Sequence, residues 1–229
     1  MQASFAFRTR GGARPGAGRP ARGPRPIRHD SRIAVRRDQP IHITCRALLR
    51  VGNLRCQLMY EAIRVATLVA AKRQDLRIVH ASIQRSHLHL LVEAESGEAL
   101  TRGVAGFLIS AARHINAVLG VRGARVFERY HARSLATPRE VRNCIAYVLN
   151  NWRHHGEHRT CETARWLVDK YSNAVAFDGW AELGDGVRFT TPLHYAPLTT
   201  QVPRSWLLAS GWRRRGLVHL DEVPGIQRP

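Results

Sequence analysis

Between Ile41 and Gly156 the apolar positions recur with two periods, one of two residues and one near 3.6, and the switches between them divide the chain into elements. "IHITCRALL", from Ile41, alternates and reads as a first strand. Asn53 is then placed to N-cap a helix through about Lys72, with Leu58, Ala62, Ile63, Ala66, Val69 and Ala70 as its core stripe. "RIVHASIQ" and "HLHLLVE" follow as two strands joined at Arg85–Ser86. Ser96 opens a second helix on which Leu100, Val104, Phe107, Leu108, Ala111, Ile115 and Val118 keep helical spacing, and Gly120 ends it. "RVFERYHARSLA" reads as a fourth strand. Thr137 and Glu140 then form a capping box around Pro138 at the first helical position, and the last helix runs to Gly156.

The order β-α-β-β-α-β-α predicts an α+β fold: a ferredoxin-like antiparallel sheet with two helices packing on one face, plus a further C-terminal helix. The chain divides into a basic arm over residues 1–38, a folded domain over 39–156, and an extension over 157–229 with a short helix expected near "PRSWLLAS". The arm has ten Arg and two Asp around a Gly/Pro-rich block. Such a segment buries too little to fold, so a disordered arm is expected. Its "GRP" at Gly18–Pro20 resembles a minor-groove hook, but Ala17 stands where an Arg is usual. A plain electrostatic tail carrying Arg14 and Arg19 fits better.

Charge narrows the partner. Lys+Arg number 36 against 17 Asp+Glu, a formal net charge of +19, and all but Lys72 and Lys170 of the basic residues are Arg. Codon bias accounts for Arg over Lys but not for the shortage of acids, so nucleic acid is the expected partner. Cys45, Cys56, Cys144 and Cys161 form no CxxC, which argues against a zinc framework or a secreted disulfide scaffold. With no apolar leader and no membrane-length apolar run, a cytoplasmic protein with no membrane partner is expected.

The chemistry begins at "SHLHLLVEA". Strand alternation puts His87 and His89 on one face and Leu88, Leu90 and Val92 on the other. If the leucines face the two helices, both imidazoles project from the opposite, open face, where they can reach one metal ion. Taken alone, an HxH strand is as well explained by two surface or hydrogen-bonded histidines. On the last helix the apolar stripe is Val141, Ile145, Val148 and Trp152, flanked by Cys144. Tyr147 lies roughly 100° from it, with Asn151 one turn on and Asn143, Asn150 and His154 on the same side. On that helix alone, a tyrosine covering a neighbouring loop is the plainer explanation.

Together, "HLH", "YVLNN" and the strand order resemble the single-tyrosine HUH transposases, the insertion-sequence type that includes the REP-associated tyrosine transposases of bacteria. The resemblance covers about residues 40–156. It implies Tyr147 as nucleophile on a C-terminal catalytic helix, and His87, His89 and Asn151 as metal ligands. The implied activity is metal-dependent cleavage and rejoining of single-stranded, hairpin-forming DNA through a 5′-phosphotyrosine with a free 3′-OH. It also implies action on a bacterial nucleoid, with a homodimer as an admissible assembly. Two imidazoles and an amide oxygen form a neutral, mixed N/O set that suits Mg or Mn, with phosphate supplying the negative charge. This chain departs from many members in having Asn151 where Gln stands and Ser86 where Asn is frequent. The extension has no counterpart in the compact members.

Several residues have rival roles. Tyr130 is the other nucleophile available, but no amide follows it one helical turn later, and packing or DNA contact suits it better. Arg129, His131 and Arg133 share a strand face that is equally well suited to phosphate or to plain solvation. His154 and His155 suit the carbonyls at the helix end. Trp166, Trp180, Trp206 and Trp212 are able to stack unpaired bases, though a small accessory core explains them more simply. The alternative function is a non-catalytic nucleic-acid-binding protein derived from a transposase. An RNA-recognition sheet would need aromatics on its central strands, and these two strands have none. A replication initiator or relaxase is disfavoured by YxxxN on a late helix.

Overall fold

The computed structural model describes residues 34–160 and 163–223, so Arg14, Arg19 and most of the expected arm lie outside the described residues. The sheet is built from β1 (Ile41–Arg46), β2 (Leu76–Ile83), β3 (His87–Ala94) and β4 (His131–Ser134). The longer helices are α1 (Gln57–Ala70), α2 (Gly97–Val118) and α3 (Pro138–His154), and a single turn, α4 (Trp206–Ala209), follows in the extension. Strand order is β2-β3-β1-β4 with every neighbouring pair antiparallel, the order of a ferredoxin-like sheet. Among the described residues no helix is long and apolar enough to cross a membrane.

Register fixes the two faces. Ile41, Ile43 and Cys45 of β1 stand opposite Val92, Leu90 and Leu88 of β3. Opposed residues point to the same side of a sheet, so these six share a face. They meet Met59, Ile63 and Ala66 of α1 and Val104, Phe107, Ala111 and Ile115 of α2 in one core. Gly103 lets α2 settle onto β2, because a Cβ there would stand 2.6 Å from Leu76 Cδ2.

The helix starts show how the elements are set. Ser96 caps α2 by accepting the Ala99 N–H, and Thr137 and Glu140 close both halves of the capping box on α3. α1 differs from expectation. Asn53 Oδ1 accepts the N–H of Arg55 in a tight turn, and the helix starts only at Gln57 behind Cys56, which gives no side-chain cap. The buried face is then Met59, Tyr60, Ala62, Ile63, Ala66, Thr67 and Ala70, while Leu58 and Val69 are 65% and 48% exposed. Tyr60 and Thr67 are buried because the extension lies against them. The Tyr60 hydroxyl donates to the Ala196 carbonyl, and Thr199 N–H donates to Thr67 Oγ1.

The fourth strand is also shorter than expected. Phe127 bridges to Ala47 and Glu128 N–H donates to the Arg46 carbonyl, but β4 itself begins at His131. Tyr130, just before it, packs against the first core.

The larger correction concerns the second face of the sheet, which is covered rather than open. Leu91 of β3 and Val79, displaced at a β2 bulge, join Val141, Ile145 and Val148 of α3 in a second core. The extension completes it with Phe177, Trp180, Leu207, Leu208, Trp212 and Val218. Trp180 and Trp212 are therefore part of the main body. The extension also occupies the β2 edge, where Ile83 N–H donates to the Tyr171 carbonyl and Asn173 N–H to that of Ala81. Arg55 locks it in place, with Nη1 and Nη2 donating to the two Asp169 oxygens at 2.9 and 2.8 Å in a fully buried pair.

Candidate active site

His87 and His89 lie on the α3 side of β3, opposite Arg46 and Thr44 of β1. Their Nε2 atoms are 2.9 Å apart. His89 is 2% exposed, and its Nδ1 lies 3.1 Å from His42 Nε2 and 3.3 Å from Thr44 Oγ1. His42 and Thr44 alternate with Ile41, Ile43 and Cys45, so β1 supplies a polar pair to the same face as the histidines of β3. That was readable in the sequence as "HIT" on a strand that the ferredoxin-like order sets beside "HLH".

α3 brings the other groups. The Tyr147 ring stands 5.0 Å from that of His89 and 5.8 Å from that of His42, and the His155 ring stands 6.1 Å from that of His87. Residues 147, 151 and 155 are one turn apart on one side of a helix. Tyr147, against His89, and the C-cap residue His155, against His87, thus stand one turn before and one turn after Asn151. Asn151 is fully buried, yet neither its Oδ1 nor its Nδ2 has a hydrogen-bond partner. Neighbouring Asn150 is also buried, but its amide donates to the His219 carbonyl. Leaving a buried amide unpaired costs about 1–3 kcal/mol; Trp152 Nε1 and Gln84 Oε1 are unpaired too, but among the described residues Asn151 alone has both of its side-chain polar atoms so placed.

Burial makes these histidines neutral. It is the main cause that brings His87 and His42 down to about 4, aided at His87 by His155 and Arg46 and at His42 by Arg133. His89 falls to about 2, through burial and then His42, His87 and His155. Neutral imidazoles keep the lone pairs that a cation needs. Two ligands at right angles, each about 2.1 Å from a cation, lie about 3 Å apart. The 2.9 Å between the two Nε2 atoms fits that spacing, and an amide oxygen without a partner fits a third position. The Tyr147 phenol is raised by burial and by Cys144, while the Asn151 amide, close to the phenol but outside hydrogen-bonding geometry, pulls the other way. It is therefore protonated at rest.

Of the remaining expected residues, Arg133 of β4 stands opposite His42 of β1, on the histidine face, and donates to Glu140 Oε1 at 2.9 Å, joining β4 to the capping box of α3. Arg129 precedes β4 and is not on a strand. Tyr130 packs on the opposite side of the sheet from the histidines.

A second cluster was not foreseen. Glu182, His219 and Asp221, all in the extension, hold potential metal-ligand atoms within 4.8 Å of one another. Glu182 already accepts from His219 Nδ1 and from Leu220 N–H, which pins that turn.

No protein-family model and no curated protein matches this sequence. Among solved structures, the chain is similar to a REP-associated tyrosine transposase bound to a REP hairpin, at 12% identity and a TM-score of 0.51, over 78% of this chain and all of the other. Residues 1–156 make up only about two thirds of this chain, so the match takes in part of the extension, which was expected to have no counterpart. A protein assigned as a transposase from Deinococcus radiodurans R1 is more distant, at 13% identity and a TM-score of 0.36, over 51% of this chain and 86% of its own. At these identities the likeness is one of fold.

Proposed function

We propose that this chain is a metal-dependent, single-tyrosine transposase of the HUH type, cleaving and rejoining single-stranded DNA. The observation that carries this reading is the buried, unpartnered amide of Asn151, one turn from Tyr147 against His89 and one turn from His155 against His87. His87, His89 and Asn151 would hold Mg or Mn. When bound, the ion polarises a phosphate and stabilises the departing oxygen. The fold shared with a transposase bound to a REP hairpin supports a hairpin-forming DNA as substrate, and the net charge of +19 supports a polyanion.

Each side chain then has a task. Tyr147 Oη attacks phosphorus, its proton leaves, and the bond from phosphorus to O3′ breaks. The departing O3′ takes up a proton, giving a 5′-phosphotyrosine and a free 3′-OH. One phosphate ester replaces another, so a 3′-OH is able to attack back and join a strand. His42 and Thr44 hold His89 through Nδ1, which keeps its Nε2 aimed toward His87 Nε2. α3 lies over the histidine face of the sheet and leaves Tyr147 and His87 partly exposed, so a strand would reach them from solvent.

The test is denaturing electrophoresis of an end-labelled single strand containing the hairpin that flanks the gene, with Mg or Mn present. The protein should retain a 3′-end label, and Tyr147→Phe should retain none while Tyr130→Phe still does. Retention by Tyr147→Phe, or of a 5′-end label instead, overturns the mechanism.

A further inference from the structure

The four tryptophans of the extension do not share one environment. Trp180 and Trp212 are 1% and 2% exposed, whereas Trp206 is 50% exposed. Trp206 opens α4, whose start is fixed to the sheet. Glu93 at the end of β3 accepts from the N–H of Arg204 and of Ser205 and from the Ser205 hydroxyl, at 2.7–2.8 Å. Glu93 points to the same face as His89, four residues further on, about 13 Å along the strand.

The indole is also held in a set position. It lies on the backbone of Gly211, where a Cβ would stand 2.9 Å from the ring. Arg214 covers the ring with its guanidinium carbon 4.9 Å from the centroid. Arg214 and the adjacent Arg215 are both exposed, and neither has a carboxylate partner among the described residues, whereas Arg213 pairs with Asp178. A rigidly seated, half-exposed indole beside two uncompensated arginines serves no core. It has the composition of a surface that stacks a base and neutralises the phosphates on either side.

We propose that Trp206 is a stacking platform for one unpaired base of a DNA single strand, with Arg214 and Arg215 taking the adjoining phosphates. Arg214 covers the ring in the free protein and moves to phosphate when a base replaces it. The inference rests on the reading of this chain as a protein that handles single-stranded DNA, and it adds where a strand is gripped outside the cleavage site.

The experiment measures binding alone, with the full chain in EDTA, against labelled oligothymidylate, oligouridylate and a DNA duplex of equal length. Trp206→Ala should weaken oligothymidylate binding by at least about fivefold, since stacking contributes about 1–3 kcal/mol per base. Duplex binding should change by less than about twofold. Trp206→Phe keeps a ring and should retain most of the affinity, which separates stacking from misfolding. If the wild-type chain binds oligothymidylate and Trp206→Ala binds it equally well, or loses both DNAs alike, the platform is rejected while the transposase reading stands. A wild-type chain that binds no single strand rejects both. A loss confined to oligouridylate assigns the surface to RNA and overturns the proposal.

Discussion

His42 Nε2 lies 3.1 Å from His89 Nδ1, so the ring nitrogen of His89 that does not face His87 is held from the neighbouring strand. For His89 to offer its Nε2 lone pair, its proton must sit on Nδ1, and His42 Nε2 is the acceptor that keeps it there. His42→Ala should weaken Mn binding about 10–100-fold, the usual effect of losing such a support. Thr44→Val should have a smaller effect, since its contact is longer at 3.3 Å. Mn titration followed by electron paramagnetic resonance reads this without any DNA. Unchanged affinity in His42→Ala would remove His42 from the site.

Acid should loosen the fold. His42, His87 and His89 are held at about 4, 4 and 2 in the folded chain, against an ordinary value near 6.5. The unfolded chain therefore binds more protons between those limits, and stability rises with pH across that window. Stability is full above about 6.5 and declines as pH falls towards 4. Urea midpoints should accordingly be lower at pH 5 than at pH 7. Saturating Mn should raise the midpoint more at pH 7 than at pH 5, because protons would compete with an ion held by these nitrogens. A Mn effect that does not depend on pH would count against the histidine ligands.

Much of this arrangement could be read along the chain. The strand order followed from short-range signals: two-residue alternation, a short hairpin between β2 and β3, and a complete capping box on α3. The shared face of His87 and His89 followed from alternation as well. What covers that face did not. The segment after His154 has no period, and its attachments are distant in sequence: Arg55 to Asp169, Tyr60 to Ala196, Glu93 to Ser205. For the same reason the α1 stripe was misjudged at Leu58 and Val69. A helix with many small residues offers several apolar faces, and the extension selects among them.

The Arg55–Asp169 pair should be a stability determinant with no role in chemistry. Both groups are buried, and Arg55 also donates to the Ile83 carbonyl at 2.8 Å. Removing Asp169 leaves the buried Arg55 with only Glu157, 3.9 Å from its Nε; breaking a buried pair of this kind costs up to about 3–5 kcal/mol. Asp169→Asn should lower the urea midpoint strongly. The double variant Arg55→Met, Asp169→Leu should recover much of that loss. Equal losses in the single and double variants would show that packing, not charge, dominates there.

Asn151 allows structure and function to be separated. An asparagine kept for the fold would use its amide, as Asn150 does with the His219 carbonyl. Asn151 is equally buried and uses neither amide atom. Replacing an unpaired buried amide by an apolar group of similar size removes a desolvation cost without breaking a bond. Asn151→Leu should therefore leave the metal-free protein as stable as wild type, or raise its urea midpoint. Mn affinity should fall, and with it the Mn-dependent gain in stability, because one of the three proposed ligands is gone. Asn151→Asp should fold and bind Mn at least as tightly, since a carboxylate oxygen is a stronger ligand for a hard cation. A metal-free Asn151→Leu protein that is markedly destabilised while binding Mn normally would place Asn151 in the framework and leave the histidine pair without its third ligand.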